Sequence, residues 1–482
     1  MAAASLMQAE PPERKPETSW REEVRATTAL ALPLIFTQLA QMAISTTDIV
    51  LLGRFSRGAL AAAAIGNTVY YFAWFIGGGP GTAVAPMVAH LIGERRVHTS
   101  PVRAALRMGL WSVLLLSLPM IAVLWQTRPI LLALGQDPQV AADAGRFVAI
   151  LALGLPFSLA LLVLRNFAAA VGHPRAGLWV VLSMIGFNAL AGFALIFGQF
   201  GAPRLGIIGS GLATAGSAMF GLVAMLVTFR FTPDLRAFRI FHRSGRLVTA
   251  KLSEVFRLGM PIGLTKIFEA TLFSAMTLVM GTFGTAAVAA HQIAMNVVSV
   301  TFMIPLGLGM AAIVRVGLAA GAGDMPAARR AGISAMILSV VFISVCAVAM
   351  FVGGPQIAGA YLGGAARGDG EVIAMAALFL KVGAAFQVFD ALQVVGALSL
   401  RGLKDARMPM ILAAGAYWLV GAPICLVLGI TLHMRGLGVW IGLAIGLAAA
   451  AAAMTVRFHL LTRSACPAPS HMDRRKRLRT GH

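Results

Sequence analysis

Three carboxylates stand where carboxylates seldom occur. Glu269 lies in LTKIFEATLFSAM (264–276), Asp390 in AFQVFDALQVVG (385–396) and Asp48 in ISTTDIVLLG (44–53), each inside an otherwise apolar run. An acid at the centre of a membrane-spanning helix costs about 2.5–3.5 kcal/mol on insertion scales, so such residues mark ion or substrate pathways. On a helix Glu269 has Thr265 at i−4, Lys266 at i−3 and Phe273 at i+4; Asp390 has Phe386, Gln387, Gln393 and Val394. Each acid therefore has one polar face, which predicts that it points at a cleft rather than at lipid. Lys266 leaves a second reading open for Glu269, a carboxylate that only pairs with a base to hold helices together. Asp48, preceded by Thr46 and Thr47 near the outer end of its span, could likewise be a satisfied interfacial acid. Acids in a low-dielectric cleft suit cations, as coupling ion and as cargo.

The elements that must position these acids are membrane helices. Of 482 residues, 59% are hydrophobic and 12% charged, and the mean hydropathy is +0.83; a soluble domain carries about twice that charged fraction. The pattern predicts an all-α polytopic membrane protein with twelve spans, near 27–52, 59–92, 104–126, 147–170, 176–198, 206–229, 255–281, 286–319, 327–350, 371–400, 408–430 and 436–462. Lys and Arg gather on one side: in the N-terminal arm, at Arg95, Arg96, Arg103, Arg175, between Arg230 and Arg257, at Arg329, Arg330, Arg401, Lys404 and Arg407, and in the tail. That asymmetry predicts cytoplasmic termini. It also assigns the net charge of +21, including RRKRLR (474–479), to lipid headgroups or solvent rather than nucleic acid. The acid-rich first 26 residues predict no cleavable signal peptide, and Cys346, Cys425 and Cys466 have no metal or disulfide spacing.

The chain is written twice. LPLIFTQLAQ (32–41) aligns with MPIGLTKIFE (260–269) at an offset of 228, which also pairs Gly53 with Gly281 and Gly93 with Gly321. LRNF (164–167) echoes LRGL (400–403), and LGIIGSG (205–211) echoes LGVWIGL (437–443). Six spans per half give both halves the same orientation, so the expected architecture is two six-helix lobes related by a pseudo-two-fold axis along the membrane normal. The expected division is an arm at 1–26, an N-lobe at 27–230, a connector at 231–254, a C-lobe at 255–462 and a basic tail at 463–482. Such paired bundles imply an alternating-access carrier. Asp48 and Met276 are repeat-mates, as are Gln41 and Glu269, so the lobes have specialised differently.

Other chemistries lack their residues. No lysine follows a glycine, which excludes a Walker A loop, and no histidine opens an H-E-x-x-H string. GAGD (321–324) superficially matches an intramembrane aspartyl protease, but Pro326, Arg329 and Arg330 make it a turn. An intramembrane enzyme is therefore the weaker alternative to a transporter.

Pro33, Gln38, Gln41 and Asp48 in the first span resemble the opening of multidrug and toxic compound extrusion (MATE) transporters, as do FEATLF (268–273), AAHQIAMN (289–296), VRVG (314–317), DALQVVGALSLRGLKD (390–405) and FGAPRLGIIGSGLATA (200–215). The resemblance runs from about residue 25 to 462 and is nearest the NorM-like bacterial branch. It implies a monomeric antiporter of the bacterial inner membrane that exports small organic cations such as dyes and fluoroquinolones in exchange for H⁺ or Na⁺, with no cofactor. It also implies that Glu269, Asp390 and Asp48 are the cation-coupling acids, with Glu269 and Asp390 as metal ligands only if the ion is Na⁺. Asn188 matches a polar position of the fifth span. Gln41, Tyr70, Trp74, Lys266, Phe268, His291, Gln292, Phe302, Phe386 and Gln393 are the further candidates for lining the cavity. Three departures bear on the ion: Phe386 where relatives can carry tyrosine, Gly192 where a second asparagine is expected, and Lys266. Sodium wants about five or six oxygens, by analogy with other hard cations, whereas a proton needs one buried carboxylate, so H⁺ is favoured. The alternative within the superfamily is a flippase for lipid-linked precursors, which calls for a cationic cleft; here the deep charges read as mainly acidic, Lys266, Arg315 and Lys381 excepted. Gly77–Pro86 and Pro305 with Gly307 and Gly309 are expected to break regular helix, as hinges or as close-packing devices.

Overall fold

The computed structural model describes residues 19–94, 99–238, 248–362 and 370–464. Arg95, Arg96, most of the expected N-terminal arm, the middle of the 231–254 connector and the tail with Cys466 lie outside the described residues. Twelve long helices follow one another: α1 Trp20–Phe55, α2 Arg57–Gly93, α3 Thr99–Leu124, α4 Pro138–Ala170, α5 Pro174–Phe197, α6 Ile207–Phe231, α7 Thr249–Gly281, α8 Thr285–Gly321, α9 Met325–Tyr361, α10 Gly370–Gly402, α11 Arg407–Thr431 and α12 Arg435–Ser464. All twelve are long and apolar enough to cross a bilayer. Two short helices, Thr127–Ala133 and Pro233–Arg236, join α3 to α4 and follow α6.

Capping extends the helices past the apolar runs. Ser19 and Glu22 form a capping box that starts α1 at Trp20, two turns before the expected span. Asp324 caps α9 by accepting from the Ala327 amide at 2.8 Å, so GAGD is a helix-ending turn. The prolines do not interrupt their helices: α2 runs through Pro80 and Pro86, and α8 through Pro305. Neighbouring helices and hydroxyls compensate for the lost bonds. Two such hydroxyls are repeat-mates, Thr37 donating to the Pro33 carbonyl at 2.6 Å and Thr265 to that of Pro261 at 2.7 Å. In α11 Gly415–Gly421 and Val427–Thr431 are π-helical, which no residue pattern announces.

Each six-helix half has its own apolar core, and the halves meet mainly through α1, α2, α7 and α8. Glycines make that contact, because only a residue without Cβ lets two backbones approach so closely. A Cβ on Gly93 would strike the Leu318 carbonyl, and one on Gly321 would strike the His90 carbonyl. Both pairs are related by the offset of 228, so the contact is reciprocal. Gly79 likewise lies on the backbone of Gly259 and Gly263, while its mate Gly307 lies on Ile35, itself the mate of Gly263. This is the pseudo-two-fold relation read from the sequence, expressed as packing.

All these contacts fall in the first half of α1 and α7 and the second half of α2 and α8, on one side of the bundle. There α2 is buried from Gly77 to Ala89 except at Thr82; nearer the other side no residue of 67–72 or 299–304 is buried. The lobes thus close over the side where α1 begins and are less buried toward the other. An ion pair fastens the closed side. Glu23, 2% exposed on α1, accepts from Arg315 Nε of α8 at 2.9 Å and from its Nη2.

Candidate functional site

In the C-lobe, α7 carries Lys266 and Glu269 one turn apart, and Lys266 Nζ donates to Glu269 Oε2 at 2.9 Å. The same ammonium lies 5.8 Å from the centroid of the Phe302 ring on α8. Asp390 of α10, 6% exposed, is close enough for the charges of Glu269 and Lys266 to act on it. Both acids thus lie in the C-lobe, one within electrostatic reach of the other.

Two further groups join them. Arg401, in the last turn of α10, is 7% exposed and feels the charge of Glu269. By sequence it falls in a connector, because the apolar run ends beside it. The echo between LRNF and LRGL was the signal that could have found it. Tyr417 comes from the π-helical stretch of α11, 1% exposed, within electrostatic reach of Glu269, Asp390 and Arg401. Its hydroxyl has no hydrogen-bond partner among the described residues. A π-bulge inserts a residue and re-aims its neighbours. Hence no spacing rule on α11 points to this phenol.

Several expected cavity residues belong instead to packing. Phe386 is fully buried between Phe273 and Trp440, at 6.3 and 5.7 Å between ring centroids. His291, 1% exposed, stacks edge-on against Trp440 and meets Thr277 Oγ1 at 3.2 Å. Gln393 is 4% exposed. The cause is α10, which α8, α9 and α12 enclose, so its polar residues point into the lobe. Tyr70, Trp74, Phe268 and Phe302 are half-buried, and Gln292 is exposed. Tyr70 lies 3.5 Å from the Ser158 hydroxyl.

Asp48 belongs to a separate place in the N-lobe. Thr214 of α6 donates to its Oδ2 at 2.9 Å, and Asn188 of α5 lies beside it. Asp48 Oδ1 and both amide atoms of Asn188 are buried without a hydrogen bond among the described residues. The deep charges are also not mainly acidic. Arg165 and Arg401 are buried, Arg315 is neutralised by Glu23, and Lys381 is exposed over Phe351. Lys266 and Arg401 balance Glu269 and Asp390 in formal charge.

Comparison with known proteins agrees with this arrangement. The MatE family profile matches twice, at residues 33–194 and 261–427, once in each lobe. The "Probable multidrug resistance protein NorM" of Mesorhizobium japonicum is 40% identical over 455 residues, 94% of this chain and 97% of that one. Its counterpart from Rhizobium meliloti is 40% identical over 454 residues, with the same shares. Among solved structures, the eukaryotic MATE transporter AtDTX14 superposes with a TM-score of 0.82 at 21% identity, over 92% of this chain and 98% of that one. A MOP superfamily transporter from Pyrococcus furiosus gives 0.82 at 16% identity, over 97% and 99%. With a family match in each repeat and relatives aligned along almost its whole length, the chain belongs to the MatE family of multidrug and toxic compound extrusion proteins.

Proposed function

We propose that this protein is a multidrug efflux antiporter of the bacterial inner membrane, with cytoplasmic termini, that exports organic cations in exchange for H⁺, with Na⁺ as the alternative ion. The observation that carries the reading is the setting of Lys266. Its ammonium occupies the space between a carboxylate and the Phe302 ring, the two groups that attract an organic cation. Lys266 acts as a tethered stand-in for cargo. A drug cation displaces it and takes Glu269; a proton arriving at the Glu269–Asp390 pair then removes the charge that holds the drug. Competition for one carboxylate pair couples the two flows. The proton is favoured because Lys266 already takes one Glu269 oxygen, leaving sodium too few ligands. The names of the bacterial relatives, multidrug resistance proteins, support drug efflux.

The deciding experiment is ethidium and norfloxacin transport by the purified protein in proteoliposomes under an imposed pH or Na⁺ gradient. Transport driven by the pH gradient alone is expected; transport only of anionic solutes would remove the reading. Asp48→Asn, which keeps shape but removes a charge and weakens a bond of about 1.5–3 kcal/mol, is expected to slow efflux about tenfold. Wild-type rates for Asp48→Asn in the same vesicles would mean that the N-lobe acid only ties α1 to α6.

A further inference from the structure

The N-lobe holds a cation without an acid. Arg165, near the end of α4, is 7% exposed, with its stem against Gly177 of α5, where a Cβ would lie 3.3 Å from Cγ. Its guanidinium reaches α1, where Nη2 donates to Gln41 Oε1 at 3.3 Å and Gln38 Oε1 at 3.5 Å. Both contacts are longer than the about 2.9–3.0 Å of a well-formed bond. No ion pair among the described residues includes Arg165. A guanidinium out of water without a carboxylate is costly, and its planar fork of donors matches a carboxylate or phosphate.

The other lobe shows what is missing. Arg401 is the repeat-mate of Arg165 through LRGL and LRNF, Glu269 is the mate of Gln41, and Lys266 of Gln38. In the C-lobe the arginine lies within electrostatic reach of Glu269, although no ion pair among the described residues joins the two. The N-lobe keeps the arginine and puts an amide where the carboxylate would be. The nearest acid on α1, Asp48, is seven residues away, about 10.5 Å along the helix, and is held by Thr214. A guanidinium has no acceptor, so the two glutamine oxygens must face it, which frees their amide N–H groups for another partner. These three side chains then offer donors, the amides of the half-buried glutamines beside the buried guanidinium.

We propose that Arg165, Gln38 and Gln41 form an oxyanion subsite that takes the carboxylate of zwitterionic drugs. Their amine goes to Glu269, the repeat-mate of Gln41 and so at the same depth in the facing lobe. The proposal rests on the efflux reading above and names a substrate class within it. A lipid phosphate is the same chemistry from another source.

The test uses the full chain in proteoliposomes with three probes: zwitterionic norfloxacin, its cationic ethyl ester and ethidium. Arg165→Gln is expected to raise KM about tenfold for norfloxacin alone, as for the loss of one charge-assisted bidentate contact, with the ester and ethidium unchanged. Gln41→Glu supplies the missing carboxylate from within and should give the same selective rise, even if Arg165→Gln folds poorly. An equal change for all three probes, or no change, would overturn the subsite and leave Arg165 as a tie between α4 and α1. A norfloxacin effect present only in vesicles containing phosphatidylglycerol would assign the subsite to a lipid phosphate instead. A wild type that moves none of the three removes the efflux reading, and the subsite with it.

Discussion

Glu269→Gln is expected to stop gradient-driven efflux, a loss of about a hundredfold or more, as when a charge used at every turnover is removed. Folding and membrane insertion should survive, because the amide is isosteric and cheaper to bury. The ion pair with Lys266 supplies the competing explanation, that the carboxylate only neutralises an ammonium in the bilayer. The two explanations separate in the double variant. If pairing were all, Lys266→Met with Glu269→Gln would remove the stranded ammonium along with its partner, and efflux would recover. If Glu269 carries the coupling, the double variant stays inactive. Lys266→Met alone should then lower the KM for ethidium severalfold, since the tethered competitor for the carboxylate is gone; displacing a partly exposed ion pair costs about 1 kcal/mol or less. Ethidium efflux under an imposed pH gradient, measured for all three variants, reads each outcome.

The same pair shows what the sequence could and could not say. Glu269 and Asp390 were legible because an acid in an apolar helix is conspicuous on any hydropathy scale, and the repeat was legible because two copies of one string at a fixed offset need no structure to be seen. The contacts of Gly93 and Gly321 between lobes obey that offset reciprocally. Charges near helix ends were not legible. Glu23 and Arg401 lie where apolar runs fade, and only packing shows that one is buried against Arg315 and the other beside Glu269. Arg165 stood inside a span in plain view, but its environment depends on α1 and α5, which no local pattern reports. Tyr417 depends on a π-helical turn, and periodicity of 3.6 gives the wrong face there. Phe386, His291 and Gln393 failed the other way: a polar or aromatic face on a helix enclosed by neighbours packs inward, and spacing alone does not say how many sides are covered.

The lobe contact carries the second large effect. Gly259→Val is expected to reduce efflux at least about tenfold without disturbing either lobe. A Cβ at Gly259 falls on the backbone of Pro80 and Gly79, 2.9 Å from the Gly79 carbonyl carbon, where no side chain can rotate aside. Overpacking of this kind costs about 1–3 kcal/mol. The cost here is borne only when the lobes close over the side where α1 begins, because Gly259 and Gly79 belong to different lobes. A carrier that must close and open this side in turn is therefore biased by that amount, a shift of roughly five- to 150-fold between its two states. A cysteine placed at Ala311, fully buried in the closed half of α8, reports the shift directly. It should resist thiol labelling in the parent and react in Gly259→Val. Gly186→Ala, which meets nothing within 4 Å, is the control expected to change neither efflux nor labelling. Unchanged labelling together with lost efflux would mean that the glycine serves folding of the bundle rather than its closure.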